Sequence, residues 1–258
     1  MSAVWIDLNC DLGEGDAGSS GDLALLDIVT SANIACGGHA GDERSMRETV
    51  RAAAARGVAV GAHPGYPDRA RFGRFELNMS PSEIEAAVKS QVFALCAIAN
   101  EELTTVVHVK PHGALYHAAM NDDAVARAVA GAVRAVSESL VLVGLAGTAG
   151  VGVWRGLGMS VAAEAFADRR YERDGSLRSR SLEGSLISEP SLAAEQAVRI
   201  ALGRGLQTSD GTLLPVHADT ICVHSDTPGA AEVAHGVRAA LDRAGVRVGS
   251  FRAGAAQE

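Results

Sequence analysis

A short apolar run that ends in polar residues or glycine, followed by a helical stretch, recurs along this chain of 258 residues. Strands are predicted at residues 4–9, 32–36, 58–62, 105–110, 140–145, 160–165 and 220–224. The clearest helices are predicted at residues 42–56, 81–100, 122–137, 189–204 and 228–244. Strands that alternate with helices pair in parallel. The pattern therefore predicts an α/β fold on a parallel sheet, in one domain spanning residues 1–258.

Polar side chains follow nearly every predicted strand, and this favours a closed barrel over an open doubly wound sheet. An open sheet binds its ligand at one switch point, whereas a barrel collects its site from many strand ends. We therefore predict a parallel (β/α) barrel with seven strands. Residues 169–189 break the alternation. We interpret them as a long loop over the site or at an interface, with disorder as the alternative.

The composition excludes several classes of protein. Apolar residues form 47% and charged residues 21% of the chain, which is typical of a folded globular protein. The net charge of −8 and the lack of a basic cluster argue against a nucleic-acid partner. No run approaches the roughly 18 apolar residues of a membrane span, and no signal-like segment opens the chain. We therefore expect a cytoplasmic protein without a membrane partner, whose four cysteines are buried thiols.

The first predicted strand carries three polar residues on one face, because side chains alternate along a strand. These residues are Asp7, Asn9 and Asp11. Two carboxylates so close together persist most easily if they bind a cation, share a proton or meet a positive group. We predict a functional role for Asp7. For Asp11, capping of the following glycine-rich turn is the alternative.

The second and third predicted strands end in matching features. Gly37 and Gly38 allow the backbone to approach a ligand, and His39 follows them. His63 ends the third strand, in a loop stiffened by prolines. Arg74 lies further along that loop, where it either contacts an anion or is solvated. We predict that both histidines belong to the site.

The fourth and sixth predicted strands each carry one charged residue that we place inside the barrel. Alternation directs Lys110 inward, where a lysine needs an anionic partner. Asp7, Asp11 and Glu164 are the candidate partners. Glu164 lies among small apolar residues, which suits a general acid or base, with a salt bridge to Lys110 or Arg169 as the alternative.

Two familiar motifs are excluded by the sequence. His108 and His112 have the spacing of a helical metal pair, but Pro111 between them makes a helix unfavourable. No GxxxxGK[ST] phosphate loop is present. The glycine-rich run at residues 144–150 is only a weak signal for anion binding. If the chain uses ATP, it shows no familiar means of binding it.

Four long motifs carry a resemblance to a known family. They are DLNCDLGEG at residues 7–15, SANIACGGHAGD at 31–42, GAHPGYPD at 61–68 and VKPHGALY at 109–116. Together with residues 164–169 and 223–224, they resemble the LamB/YcsF family over most of the chain. The resemblance implies a barrel similar to those of the glycoside hydrolase/deacetylase superfamily. It also implies an ATP-dependent 5-oxoprolinase that opens 5-oxoproline to L-glutamate with partner subunits B and C, while ATP gives ADP and phosphate.

Roles for the site residues follow from this implied chemistry. We expect Asp7 or Glu164 to act as the base, and Lys110 to hold the substrate carboxylate or a phosphate. The histidines would position or protonate the reacting groups: His39, His63 and His112. The other expected substrate contacts are Asn9, Asp11, Arg74, Gly37 and Gly38. A divalent cation such as Mg²⁺ would accompany ATP.

One departure from the pattern of the family that the chain resembles lies at residues 72–75, which read FGRF where that family commonly has Phe-Gly-Arg-Arg. Arg74 or Arg71 would then have to supply the missing charge. Two other functions stay open. A metal-dependent deacetylase would use Asp11, His39 and His63 as ligands of a divalent ion. A non-catalytic subunit would bind and deliver the substrate.

Overall fold

The computed structural model describes residues 4–15, 20–225 and 229–250. The strands are β1 (Trp5–Leu12), β2 (Ser31–Ala35), β3 (Ala59–His63), β4 (Val106–Val109), β5 (Val141–Leu145), β6 (Val161–Phe166), β7 (Leu206–Gln207), β8 (Leu213–Leu214), β9 (Thr220–Cys222) and β10 (Arg247–Val248). The helices are α1 (Ser20–Leu26), α2 (Glu43–Ala55), α3 (Pro81–Glu101), α4 (Gly113–Asn121), α5 (Asp123–Val136), α6 (Ala149–Gly156), α7 (Pro190–Ala201) and α8 (Ala230–Arg243), with a 3₁₀ helix at Arg69–Arg71.

Seven of these strands form a closed barrel. They pair in parallel in the order β1, β2, β3, β4, β5, β6 and β9, and β9 pairs again with β1. The short strand β10 extends the sheet beside the start of β1, and β7 pairs with β8 outside the barrel. The prediction of a seven-stranded parallel barrel is confirmed, and each predicted strand overlaps a barrel strand.

The helices lie around the barrel, and several begin as the sequence predicts. Ser80 and Glu83 form a capping box at the start of α3, and Asp42 caps α2 in the same way. Three helices were not predicted as such: α1, α4 and α6. They have seven to nine residues, too few turns for a clear period. Asp226 precedes the helix predicted at residues 228–244, where a capping residue is expected, and lies outside the described residues.

The two faces of β1 show how the core is divided. Leu8, Cys10 and Leu12 are fully buried in the apolar layer between the barrel and its helices. Asp7 and Asn9 are also buried, but they face the barrel interior. The interior is thus polar, so its groups must hydrogen-bond one another to offset the cost of burial. No described helix is both long and apolar enough to cross a bilayer.

A glycine makes room for one of these interior groups. Gly61 of β3 pairs with His108 of β4, and a Cβ at Gly61 would lie 1.9 Å from Nε2 of that histidine. The imidazole therefore occupies the volume that a side chain at Gly61 would need. His108 donates from Nε2 to Oδ1 of Asn33, 2.8 Å away. Burial lowers the pKa of His108 to about 3, so the ring is neutral at pH 7.

Candidate functional site

A cavity of about 280 Å³ opens at the carboxyl ends of the barrel strands. Residues at the ends of β1, β3, β4 and β6 line it. Its floor and walls include Asp11, Glu14, His63, Lys110, His112 and Phe166. The volume lies near the lower end of the range for small-molecule sites, roughly 300–1,000 Å³. A compact ligand with one ring fits a cavity of this size.

Lys110 is the central charged group of the cavity floor. Its Nζ lies 3.0 Å from Oδ1 of Asp11 and 2.9 Å from Oε1 of Glu164. Burial alone would lower the pKa of Lys110, but the carboxylates outweigh burial and raise it well above its usual value. The side chain is therefore an ammonium at neutral pH. The predicted inward lysine with an anionic partner is present, and it has two such partners.

Asp11 lies between this ammonium and the histidines. Its Oδ1 accepts a hydrogen bond of 2.8 Å from Nδ2 of Asn33, and its Oδ2 lies 3.4 Å from Nε2 of His63. Burial raises the pKa of Asp11, but His63 and Lys110 outweigh it and hold the pKa well below its usual range. Asp11 is thus a carboxylate that lines the cavity.

Glu164 lies beneath the cavity, and its side chain is fully buried. Besides Lys110, its donors are Nδ2 of Asn9 at 3.1 Å and the hydroxyl of Tyr116 at 2.8 Å. With three donors in place, this carboxylate serves as a fixed counter-ion, which is the alternative that we gave for it. Neither Asn9 nor Glu164 is among the described residues that line the cavity. Both residues lie behind those that line the cavity, although we had expected them in the site.

Asp7 lies deeper still. It precedes Asp11 by four residues on β1, which corresponds to roughly 13 Å along a strand. Its oxygens accept hydrogen bonds from the hydroxyls of Thr30, Ser31 and Thr220. Burial raises the pKa of Asp7 to about 6, despite the opposing effect of these donors. Asp7, which we had expected to act as a base, therefore lies below the described residues that line the cavity.

Three histidines gather around a carboxylate that we did not predict. Oε1 of Glu14 lies 3.0 Å from Nε2 of His39, 3.2 Å from Nδ1 of His112 and 3.8 Å from Nε2 of His63. The predicted metal ligand Asp11 is replaced in this group by Glu14. The signal that could have found it is the turn 13–15, where glycines flank the glutamate at the end of β1. We call Glu14, His39, His63 and His112 the histidine cluster.

Packing and charge fix the protonation of this cluster. The rings of His39 and His112 stack with centroids 3.5 Å apart, and His63 meets both edge-on. Burial lowers the pKa of His39 to about 4 and also lowers the pKa of His112. Both rings are therefore neutral at pH 7, whereas the pKa of His63 is raised because Asp11 outweighs the effect of burial.

The structure places Gly37 and Gly38, which we had expected to contact the substrate, away from the cavity. Gly37 is exposed, and Gly38 is buried where a Cβ would lie 2.3 Å from Oε1 of Gln91 and 2.6 Å from the carbonyl oxygen of Gly65. Neither glycine is among the described residues that line the cavity. Gly38 therefore permits close packing of two loops rather than the approach of a ligand.

The loop after β3 supplies one cation to the cavity. Arg74 lines it, whereas Arg71 pairs with Asp68 at 2.8 Å and stacks on Phe75. Phe75, which stands where the family commonly has arginine, is 56% exposed. Of the two arginines that we considered, only Arg74 is in place to compensate.

The irregular segment 169–189 forms one wall of the cavity. Arg169, Ser179 and Arg180 line the cavity. His224 also lines the cavity, and its Nδ1 lies 2.9 Å from Oδ1 of Asp168, so its ring is held in place. The two arginines were not predicted as site residues, because an irregular segment gives no period from which to place its side chains. Three arginines therefore line the cavity together with the carboxylates of Asp11 and Glu14: Arg74, Arg169 and Arg180.

Comparisons with known proteins agree with this architecture. The sequence model of the LamB/YcsF family matches residues 6–256. A Chloroflexus aggregans protein, named as the A subunit of 5-oxoprolinase, is 54% identical over 245 residues, which cover 94% of this chain and 97% of that protein. The crystal structure of the lactam utilization protein from Thermus thermophilus is 46% identical, with a TM-score of 0.90, over 96% of this chain and 100% of that chain.

A more distant structure shares the fold alone. The family 4 carbohydrate esterase from Streptomyces lividans is 13% identical, with a TM-score of 0.52. The match covers 98% of this chain and 96% of that chain. A likeness at this level supports the barrel architecture and carries no statement about activity.

Proposed function

We propose that this chain, which belongs to the LamB/YcsF family, is the A subunit of an ATP-dependent 5-oxoprolinase. In this proposal it opens the cyclic amide of 5-oxoproline to give L-glutamate, together with subunits B and C. Support comes from relatives of 46–54% identity that carry the name of the 5-oxoprolinase A subunit. The Thermus thermophilus structure described as a lactam utilization protein adds to it.

The observation that carries the proposal is the pairing of Lys110 with Asp11 on the cavity floor, 3.0 Å apart. Opening an amide ring requires a positive group near the oxygen, where negative charge develops, and a proton acceptor for water. Both groups line a cavity small enough for a five-membered lactam. We assign Lys110 to the lactam oxygen and Asp11 to the attacking water.

The arginines that line the cavity suit the other end of this substrate. 5-Oxoproline carries a carboxylate, and arginine binds carboxylates through paired hydrogen bonds. Arg74, Arg169 and Arg180 all line the cavity. In the proposed complex they hold the substrate carboxylate while the ring points to the floor. The proposed complex thus assigns the substrate carboxylate to the arginines. For Lys110 we had left two roles open, the substrate carboxylate or a phosphate.

ATP has a role in this proposal because a five-membered lactam is a stable amide whose opening must be driven. The pKa of Asp11 lies well below its usual range because His63 and Lys110 outweigh burial, so Asp11 accepts a proton poorly. Phosphorylation of the lactam oxygen by ATP would make its carbon electrophilic enough for this base. Water then adds to that carbon, and the carbon–nitrogen bond breaks as the nitrogen gains a proton. Hydrolysis of the resulting acyl phosphate releases glutamate and phosphate.

Handling of the nucleotide is assigned to the partner subunits or to a shared site, because the sequence contains no phosphate loop. Mg²⁺ would enter with ATP as its counter-ion. A cytoplasmic location is part of the proposal, since the reaction consumes ATP.

Reconstitution tests this proposal. Purified subunits B and C are incubated with 5-oxoproline and ATP, with and without this chain, and glutamate and phosphate are measured. We expect glutamate only when all three subunits are present. Glutamate from B and C alone would contradict the assignment.

Acetate release from an N-acetylated sugar by this chain alone would favour the deacetylase. Binding of 5-oxoproline with no effect of cavity variants on saturated turnover would favour a delivery subunit.

A further inference from the structure

We infer that the histidine cluster binds a divalent transition-metal ion of the zinc class. One ligand atom from each of Glu14, His39, His63 and His112 lies within 4.8 Å of the others. The inference concerns metal binding by these residues and does not depend on the proposed function. Three features support it: the hydrogen bonds that the imidazole rings donate to backbone carbonyls, the spacing of the ligand atoms, and the cation beside a second group of possible ligands.

Hydrogen bonds to backbone carbonyls fix the orientation of two rings. Nδ1 of His63 donates to the carbonyl oxygen of Lys110 at 2.7 Å, and Nε2 of His112 donates to that of Phe72 at 3.0 Å. A carbonyl only accepts, so each neutral ring carries its proton on that side. His63 Nε2 and His112 Nδ1 face each other, 3.0 Å apart, and when both rings are neutral each of these atoms presents a lone pair. Only a proton or a cation between them removes their repulsion.

The arrangement has the outer hydrogen bonds that metal-binding histidines use. Such histidines commonly donate their second nitrogen to a carbonyl or carboxylate, which fixes the tautomer and the ring orientation. His63 and His112 both do so before any ion is bound. The site is therefore preorganised for a cation on the side where Glu14 lies.

The spacing of the ligand atoms fits a tetrahedral ion. Nitrogen and oxygen ligands about 2.0–2.1 Å from zinc lie roughly 3.4 Å from one another. The observed separations from Oε1 of Glu14 are 3.0 Å for His39, 3.2 Å for His112 and 3.8 Å for His63. The four ligand atoms all lie within 4.8 Å of one another, and one of the stacked rings of His39 and His112 would turn for both to face the same ion.

The chemistry of the ligands selects the class of ion. Imidazole suits zinc and its transition-metal neighbours, whereas Mg²⁺ prefers oxygen ligands and retains its water. A set of three imidazoles and one carboxylate thus excludes Mg²⁺ as the preferred occupant. Glu14, His63 and His112 also line the cavity, so an ion held by them would face a bound ligand.

A second group of potential ligands is less suitable. Asp11, Cys222 and His224 also lie within 4.8 Å of one another. However, Nζ of Lys110 lies 3.0 Å from Oδ1 of Asp11 and 3.2 Å from Sγ of Cys222. The ammonium already occupies the position that an ion would take, and it would repel one. The histidine cluster contains no such cation among the described residues.

Metal titration tests the inference with binding as the readout. The full-length protein is stripped with a chelator and dialysed. It is then titrated with Co²⁺, followed by visible absorption, and with Zn²⁺ by calorimetry. The variants are Glu14→Gln and His112→Ala in the histidine cluster and His224→Ala in the rival group. His235→Ala, which removes an exposed imidazole, is the matched control.

We expect stoichiometric binding by the parent protein and by the His235→Ala and His224→Ala variants. Loss of an outer hydrogen bond costs 10–100-fold in metal affinity, so loss of a ligand should cost at least roughly 100-fold. Zn²⁺ should also raise the thermal midpoint of the parent but not of Glu14→Gln, which keeps the shape of the side chain. Absence of stoichiometric binding, or binding lost in His224→Ala but kept in Glu14→Gln, overturns the inference. In that case a shared proton joins His63 to His112.

Discussion

Nζ of Lys110 lies 2.9 Å from Oε1 of Glu164, and both side chains are almost completely excluded from solvent. The pair spans the inside of the barrel from the end of β4 to β6. Burying two charges is costly, and their attraction offsets that cost only when the other hydrogen-bonding atoms are also satisfied. Asn9 and Tyr116 supply these bonds to Glu164, and Asp11 supplies one to Lys110. The floor of the cavity is therefore rigid and charged before a ligand enters.

The first prediction concerns the stability of this pair. Lys110→Met leaves two buried carboxylates without their cation, and Glu164→Gln leaves Lys110 with one partner fewer. Breaking a buried pair costs about 3–5 kcal/mol in the free energy of unfolding. We expect each single variant to approach that loss and the double variant to lose less than the sum. Urea unfolding of the four proteins in a double-mutant cycle measures the coupling.

An exposed ion pair provides the control for this cycle. Arg127 and Asp123 pair at 2.6 Å with more than half of each side chain exposed. Their substitution by Met and Asn should change the free energy of unfolding by less than about 1 kcal/mol. Equal losses for the exposed and the buried pair would show that burial does not strengthen the interaction.

The sequence was sufficient to predict the barrel and much of its floor. The recurring strand–helix pattern located all seven barrel strands, and alternation along β1 put Asp7, Asn9 and Asp11 on the inner face. The rule that a buried lysine needs an anion led to both partners of Lys110. These inferences depend on local periodicity or on the chemistry of one residue type, which a single sequence contains.

The sequence could not predict how deep each inward side chain lies along the barrel axis. Asp7 and Asp11 share a face, but the position of the cavity relative to them depends on the register between strands. The same pattern therefore suggested Asp7 as the base. Glu14 and Arg180 were missed because each lies in a turn or loop whose path is set by tertiary contacts. The close packing of Gly38 against Gln91 could not be foreseen, because the two residues lie far apart in the sequence.

The second prediction concerns the close packing of Gly61 in β3 against the imidazole of His108 in β4. Gly61→Ala places a Cβ within 1.9 Å of Nε2 of His108, inside a closed barrel that cannot expand locally. Overpacking of this kind costs about 1–3 kcal/mol or more. We expect the double variant Gly61→Ala with His108→Ala to recover part of the loss. Thermal and urea unfolding measure both effects.

A glycine in open surroundings is the control for this substitution. A Cβ at Gly152 in α6 meets no other atom within 4 Å. Gly152→Ala should therefore stabilise the protein by about 0.5–1 kcal/mol, since alanine is the better helix former. A destabilised Gly152→Ala, or an unaffected Gly61→Ala, would contradict the steric explanation.

The third prediction concerns Asp7 and the pH dependence of stability. Burial raises the pKa of Asp7 to about 6 from its ordinary value of 3.8. The folded state therefore binds the proton more tightly than the unfolded state, and the stability gained from that proton is lost as pH rises through about 6. Between pH 4.5 and 7.5 this loss is about 2 kcal/mol, at about 1.4 kcal/mol per pKa unit.

Asp7→Asn isolates this contribution, because Asn does not titrate and every other group remains. The difference in the free energy of unfolding, parent minus variant, should fall by about 2 kcal/mol from pH 4.5 to 7.5. Urea unfolding at four pH values within that range measures the difference. A difference that is constant with pH, or that rises, would show that Asp7 titrates at or below its ordinary pKa.

The fourth prediction rests on the proposed function and concerns the two arginines after β3. Arg74 lines the cavity, whereas Arg71 pairs with Asp68 outside it. A hydrogen bond to a charged group contributes about 1.5–3 kcal/mol. In the reconstituted 5-oxoprolinase, Arg74→Ala should therefore raise KM for 5-oxoproline about tenfold or more, with little change in kcat. Arg71→Ala should leave both constants unchanged, and an equal effect of the two substitutions would remove Arg74 from the binding site.

The fifth prediction separates catalysis from binding at Asp11. A positioned general base contributes about 10²–10⁴-fold to the rate, so Asp11→Asn should lower kcat by that order with a smaller change in KM. Asp27→Asn, which removes a carboxylate that pairs with Arg56 at the surface, is the control and should keep full activity. Because Asp11 also pairs with Lys110, unfolding of each variant is measured alongside turnover. A folded Asp11→Asn variant with normal kcat would mean that another group accepts the proton of the attacking water.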